Sequence, residues 1–408
     1  MSTFIDIHVI QNLPPNNVNR DDTGAPKSGI FGGTRRARVS SQAWKRATRD
    51  QFNAHFDPER IGERTKRIVW RIAQNIMDID DSIDANAAVE MAVEVVLKNN
   101  IKPTGADNAK NRKAARDKLK PHERYPTRSL ILVSRTQLRG LAELAIELNG
   151  GADITRREVQ RVLEENHSFD LALFGRMIAE EPRSNIDACC QVAHALSVHG
   201  VTNEFDYYTA LDDNADDDVP GASMIGATEF NSSTLYRYAN INAGRLAETL
   251  GDVEEAAEAV RAFITAFVTS MPSGKQNSFA NRTLPEAVVV RIRGDQPVSL
   301  ASAFIEGVDD VGHRTAATAI ALGNHARSLD AVYAPAIGGG FLAAGNVADS
   351  PEALEALSVF GHNDTLSNIV ELAAEATLAV PIAQNDAAAN TNHDADVDAA
   401  DTEEEEED

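Results

Sequence analysis

Residues 4–10 read FIDIHVI, and this heptapeptide is where the fold declares itself. Ile5, Ile7 and Val9 alternate with Asp6 and His8, the period of a strand with one apolar face, so a half-buried β-strand is expected. Pro14 and Pro15 end that pattern and open a long loop that runs to Val39. Ser40 or Ser41 then supplies the N-cap of a helix over 42–52, with Trp44, Ala47, Thr48 and Gln51 on one side. Lys45 and Arg49 point away from that side and are expected outward. Toward the other end, Asp252 and Glu255 have capping-box spacing. The helix behind them aligns Val253, Ala257, Val260, Ile264, Phe267 and Met271. Pro272 stops it, and EAVVVRI at 286–292 is a second strand. Between these halves, Ile61, Thr65, Ile68, Ile72 and Ile76 form one helical stripe, and Ala88, Met91, Ala92, Val95 and Val96 another. The expected class is α+β, a sheet domain carrying insertions. No internal repeat is visible.

Composition bounds the function. The 408 residues are 43% hydrophobic and 25% charged, an ordinary soluble composition with room for two or three domains. No apolar run approaches the roughly 20 residues of a membrane span, so no membrane partner is expected. MSTFIDIHVIQ lacks the pattern of a signal peptide. Cys189 and Cys190 are adjacent, in a stretch (188–199) read as apolar and helical, and fit neither a disulfide framework nor a zinc site. A reduced, cytoplasmic protein without metal or cofactor is the expectation. The net charge is −23, and 394–408 supplies ten negative charges and no positive one. From 385 onward the chain has too little apolar surface to fold and reads as a disordered acidic tail. Asp212, Asp213, Asp216, Asp217 and Asp218 read as a solvated loop tip within a turn-rich excursion over 203–230.

Against that acidity stands RDDTGAPKSGIFGGTRRARVSSQAWKRATR at 20–49. It carries eight cations (Arg20, Lys27, Arg35, Arg36, Arg38, Lys45, Arg46 and Arg49) and two acids, Asp21 and Asp22. A basic loop punctuated by Gly32 and Gly33 and running into a basic helix presents amides, hydroxyls and cations to phosphates. A polyanion is the expected ligand. A second basic zone over 98–139 holds twelve cations against three acids, and reads equally well as a solvated polar stretch. Catalytic motifs are absent: there is no HExxH, no GxSxG, and Thr269 stands where a P-loop ending at Gly274–Lys275 needs glycine. Asp21 and Asp22 are the one carboxylate pair in the basic loop, read first as shaping it and second as able to hold Mg²⁺ for phosphodiester cleavage. Tyr207, Tyr208, Met224 and Ile225 are apolar groups on a polar protrusion, able either to unstack bases or simply to pack the loop.

The basic segment, FGRM at 174–177, GATEFNSSTLYRYANIN at 226–242 and PSGKQNSFA at 272–280 together resemble the CasC family. Its members are the RNA-coating backbone subunits of the type I-E CRISPR surveillance complex, Cascade. The resemblance implies a hand: an RRM-like (ferredoxin-like) palm over 1–58 and 185–384, helical fingers over 59–184 and an extended thumb over 203–230. It implies a non-enzymatic, sequence-independent grip on a guide RNA. Copies would stack head to tail in an open filament beside other Cascade subunits, with each thumb displacing a nucleotide and target DNA reached through the guide. Carried over, the guide-binding positions are Arg20, Lys27, Ser40, Gln42, Lys45 and Arg49, with the Gly32–Gly33 amides helping. Arg176 and Met177 match a nucleotide-wedging loop, Lys275 and Gln276 lie close to the RNA path, and Tyr208 and Ile225 face the displaced base. Arg156 and Arg157 resemble a helix that guides target DNA. The basic insertion at 98–139, the aspartate-rich thumb tip and the acidic tail depart from the pattern. A metal-dependent RNA-cleaving subunit of the related type III kind, with Asp21 or Asp22 as the acid, and a protein-only scaffold are the other classes.

Overall fold

The structure, a computed structural model, describes residues 3–210 and 224–381, without the side chains of 53–55. Its strands are β1 (Phe4–Asn16), β2 (Ser28–Phe31), β3 (Thr34–Val39), β4 (Glu63–Thr65), β5 (Ile131–Val133), β6 (Cys190–Val192), β7 (Ala195–Ser197), β8 (Glu204–Ala210), β9 (Met224–Asn242), β10 (Ala287–Arg293), β11 (Gly338–Ala343) and β12 (His362–Asn363). One sheet runs β12-β11-β10-β1-β9-β7-β3-β2, with β6 and β8 also paired to β9. β1 lies at its centre, antiparallel to β10 and β9. It extends past the expected end at Ile10: Pro14 and Pro15 are exposed where the register with β9 shifts, the position a strand gives to residues lacking an N–H.

β1 is also buried on both sides, not one. Ile5, Ile7 and Val9 pack beneath α1 (Ser41–His55), and beneath later helices including the one over Leu366–Leu378. Asp6, His8 and Ile10 face the segment that follows β10, which covers the other side of the sheet. Asp6 and one nitrogen of His8 find partners there. Asp6 accepts from the Tyr238 hydroxyl at 2.7 Å and the Val298 amide at 3.0 Å, and His8 Nδ1 lies 2.8 Å from the Tyr236 hydroxyl. Burial pushes the Asp6 carboxyl up to about 6 and the His8 imidazole down to about 3.

The insertion builds its own core from α2 (Ile68–Ile79), α3 (Ala85–Lys98), α5 (Arg135–Asn149) and α6 (Arg156–Glu164), with α4 (Ala109–Lys118) on its surface. Ile68, Ile72 and Ile76 lie on the buried face of α2 and the second stripe is that of α3, whereas Ile61 and Thr65, read as the start of the first stripe, precede α2, Thr65 in β4. The chain returns through α7 (Phe169–Phe174), whose Phe169, Ala172 and Leu173 join the sheet core together with Ile61. These four therefore pack with the sheet although they fall within 59–184.

Two local readings are corrected. The stretch 188–199 is not helical. It forms β6 and β7, pairing Cys190 with Ile241 and Leu196 with Tyr236, because the long edge of β9 offers unpaired backbone groups there. Both cysteines are buried and free, and burial pushes the Cys190 thiol up to about 12. The excursion over 203–230 is a two-stranded ribbon of β8 and the first part of β9, with Tyr208 opposite Gly226. All seven residues of β8 are exposed, so no covered face imprinted an apolar alternation on the sequence. The acidic tip and the acidic tail lie outside the described residues.

Candidate nucleic-acid interface

The loop after β1 is held by its own side chains. Asp21 Oδ1 accepts from the amides of Thr23 (2.9 Å) and Ala25 (3.0 Å) and from the Thr23 hydroxyl (2.7 Å). The Thr23 hydroxyl keeps this exposed carboxyl below its usual range. Buried Asn17 donates to Gly24 O at 2.9 Å and to Glu229 O at 2.8 Å, clamping the loop to the foot of the ribbon. Arg20 bridges to Pro26 through the backbone and its side chain is exposed; Lys27 is half-buried. Asn19 Oδ1 accepts from the Ser40 amide at 2.8 Å, tying the loop to the start of α1.

Ser40 is the N-cap, accepting from the Ala43 amide at 3.4 Å, and no acid sits in the first turn of α1. The positive end of this 15-residue helix is unopposed by its own sequence, with Gln42 exposed beside it. Lys45 lies one turn further, half-buried, its Nζ 5.7 Å from the centre of the Phe174 ring. Phe174 ends α7, and Gly175 follows at φ +75°, where a Cβ would stand 2.7 Å from Ile186 O. Met177 projects beyond it with 76% of its surface exposed. On the far side of the loop, a Cβ on Gly274 would stand 2.2 Å from Val18 O. That close approach sets Lys275 and Gln276 beside the loop, while Phe279, three residues on, packs against Phe230 at the ribbon's foot, rings 5.7 Å apart. Contacts thus link Arg20, Lys27, Ser40, Gln42, Lys45, Met177, Lys275 and Gln276 through adjoining elements.

Other expected residues are occupied differently. Arg49 is not an outward cation: its Nε lies 2.5 Å from Asp170 Oδ2 and its Nη2 donates to Gly62 O at 2.9 Å. Asp170 is fully buried and also accepts from the Gly62 amide and the Ser168 hydroxyl. The exposed cation of α1 is Arg46, 3.8 Å from Asp50. Arg176 is only 3% exposed, donating to Ser184 O (3.0 Å), Gln137 Oε1 (3.1 Å) and Leu163 O (2.7 Å). Burial draws its guanidinium down to about 10. Of the two FGRM residues expected at the interface, Met177 alone is exposed. Arg156 pairs with nearly buried Glu181 and is half-buried; Arg157 is exposed on α6. Tyr208 and Ile225 do not share a face of the ribbon, because Tyr208 pairs with Gly226 and Ile225 with Thr209. The Tyr208 ring lies across Gly226, whereas Phe205, Tyr207 and Ile225 share the opposite face at 64%, 77% and 69% exposure.

The β2–β3 hairpin turns on Gly32 (φ +57°) and Gly33 (φ +74°), both requiring the left-handed region. Gly32 lies against Ile305, whose carbonyl oxygen would be 1.7 Å from a Cβ there; Gly33 is open. Arg36 is buried, donating to Phe304 O and Ile305 O at 3.2 and 3.3 Å. Residues missed by sequence reasoning include Asn17, Asn19 and His194. The signal for the first two was the turn-forming PNNVN at 15–19. His194 Nδ1 lies 3.1 Å from Arg38 Nη1, and its pKa is lowered by partial burial and then by Arg38 and Lys27. Among the described residues, no group of three or more His, Cys, Asp and Glu side chains is placed to hold a metal, and no helix is long and apolar enough to cross a membrane.

No curated protein is a significant match to the chain. Two solved structures are similar along nearly its whole length. One, a chain of a "CRISPR RNA-guided surveillance complex, pre-nicking", is 34% identical with a TM-score of 0.77, covering 92% of this chain and all of that one. The other, from a "CRISPR RNA-guided surveillance complex", is 30% identical with a TM-score of 0.68, covering 91% of this chain and 99% of that one. The profile of the CT1975-like protein family matches residues 5–374, and the chain belongs to that family.

Proposed function

We propose that this chain is a guide-RNA-binding backbone subunit of a Cascade-type CRISPR surveillance complex, of type I-E, working in the cytoplasm. The similarity to chains of RNA-guided surveillance complexes supports the general role. The strand order β10-β1-β9-β7, antiparallel throughout, supports an RRM-like palm. The observation that carries the RNA reading is the junction tied by Asn19 and Ser40, where a structured basic loop meets a helix N-terminus with no acid in its first turn. Arg20, Lys27 and Lys45 take phosphates there, Lys275 adds a cation from the adjoining loop, and Met177 and the Phe205–Tyr207–Ile225 face separate successive bases. None of these contacts reads base edges, so binding is independent of sequence, and bases held apart remain open to pairing with target DNA.

The chain cleaves nothing in this reading. Asp21, one of the two acids the nuclease alternative invokes beside Asp22, already has three hydrogen-bond donors on one oxygen and shapes the loop. Copies stack head to tail along the RNA, a contact that repeats without closing, next to other subunits of the complex. The test is co-expression with a CRISPR array followed by purification. A discrete short RNA should co-purify, and unrelated single-stranded RNAs of equal length should bind the free protein with equal affinity. Loss of complementary RNA upon adding Mg²⁺, prevented by EDTA, would overturn the non-catalytic assignment; failure to retain any RNA would leave the protein-only scaffold.

A further inference from the structure

The basic zone over 98–139 is not used by the interface above, and the structure divides it into two populations. On one side of α4, Arg112 pairs with Glu90 and Glu94, and Arg116 with Glu90, fastening the helix to α3. Arg124 is buried, donating to Leu119 O, Arg116 O and Asn86 Oδ1. The remainder faces solvent: Lys110, Lys113, Lys118, Lys120 and Arg128 are exposed and form no ion pair among the described residues. Of the three acids in this zone, Asp107 is engaged with Asn108 and Asn111 and Glu123 with the Lys120 amide, while Asp117 is exposed on α4 itself and leaves the exposed lysines in excess. No residue of α4 is buried, so the helix presents charge and does not pack a core.

The residue type is informative. The chain has ten lysines, and six of them fall between Lys98 and Lys120. Where cations here make fixed contacts, as at Arg36, Arg49, Arg176 and Arg237, the side chain is arginine. Lysine is a mobile point charge that suits a diffuse partner without a fixed fork geometry. The same chain holds such a partner: 394–408 carries ten carboxylates and no cation, five of them in the unbroken run Glu403–Glu407. Twenty-seven residues follow Pro381, a contour of up to about 90 Å at 3.4 Å per residue. Tethering gives this segment an effective concentration on the order of millimolar against its own molecule.

We propose that the lysine face of α4 is the docking surface for the acidic 394–408 segment of the same copy, held by charge and released by salt or by a competing polyanion. The proposal stands apart from the RNA reading, since none of its residues lies in that interface. The test is zero-length carbodiimide coupling on the full-length protein, mapped by mass spectrometry in an equal mixture of isotopically light and heavy copies. Coupling should join 403–408 to Lys110, Lys113, Lys118 and Lys120 within one isotope class. It should fade as salt rises and be lost in the fourfold Lys→Gln variant, whose circular dichroism stays that of the parent because these side chains pack nothing. Coupling spread evenly over Lys27, Lys45, Lys66 and Lys275, or mainly between isotope classes, overturns it. Duplex DNA protecting these lysines from modification in a protein whose tail never couples to them would assign the face to nucleic acid instead.

Discussion

Arg20, Lys27 and Lys45 of 20–49 and Arg156 and Arg176 of 156–186 were all read as nucleic-acid contacts, yet the two sets are held in opposite ways. In the first, a loop stabilised by Asp21, Asn17 and Asn19 keeps Arg20 exposed and leaves Lys27 and Lys45 part-open beside a helix N-terminus with no acid in its first turn. In the second, Arg176 is buried against three acceptors and Arg156 is paired with Glu181. The difference lies in who supplies the partners. Backbone carbonyls and carboxylates converge on 156–186, as they do on Arg36 and Arg49, because chain segments cross there, whereas the loop over 17–27 is held by neutral asparagines and one aspartate, leaving Arg20 exposed and Lys27 half-buried. A basic motif is therefore not evidence of a polyanion site until its local acceptors are counted.

The contrast breaks first at Arg176. Arg176→Ala takes the donor from Ser184 O, removes one of two donors from Leu163 O and from Gln137 Oε1, and empties a buried side-chain site, which should lower unfolding stability by about 4 kcal/mol, read by urea denaturation. A change in RNA affinity with unaltered stability would return Arg176 to the interface. Arg49→Ala strands the fully buried Asp170 carboxylate and should cost about 3 kcal/mol, although two hydrogen bonds to Asp170 survive. If the variant instead melts like the parent and loses salt-dependent RNA binding, the sequence-based role was right.

On the thumb, Tyr207→Ala should weaken RNA binding by about 2 kcal/mol, the range of one stacked base, and Tyr208→Ala by clearly less. Equal losses would show that the ribbon's two faces are not distinguished. The smallest effect is expected at Lys45→Ala: stability within about 0.5 kcal/mol of the parent. Its affinity falls equally for all RNA sequences, and the slope of log K against log salt is reduced by about 0.7. An unchanged slope in fluorescence anisotropy would remove Lys45 from the phosphate contacts.

Much of the fold was legible because burial imprints periodicity. Ile68, Ile72 and Ile76 of α2, the stripe of α3 and Ala257, Val260, Ile264 and Phe267 of the helix over Val253–Thr269 are buried where the apolar spacing put them, and FIDIHVI is the central strand. The ribbon was illegible because nothing covers it, and 188–199 was misread because apolar side chains in a short run carry no period that separates helix from strand.

By itself, the sequence determined the basic loop, its helix and the α+β order of elements, since charge content, capping residues and apolar spacing are local properties of the chain. Tertiary structure alone decided which arginines remain available and which side chains share a face of the thumb. Those depend on acceptors and strand registers supplied by residues tens to hundreds of positions away, a separation that no local pattern records.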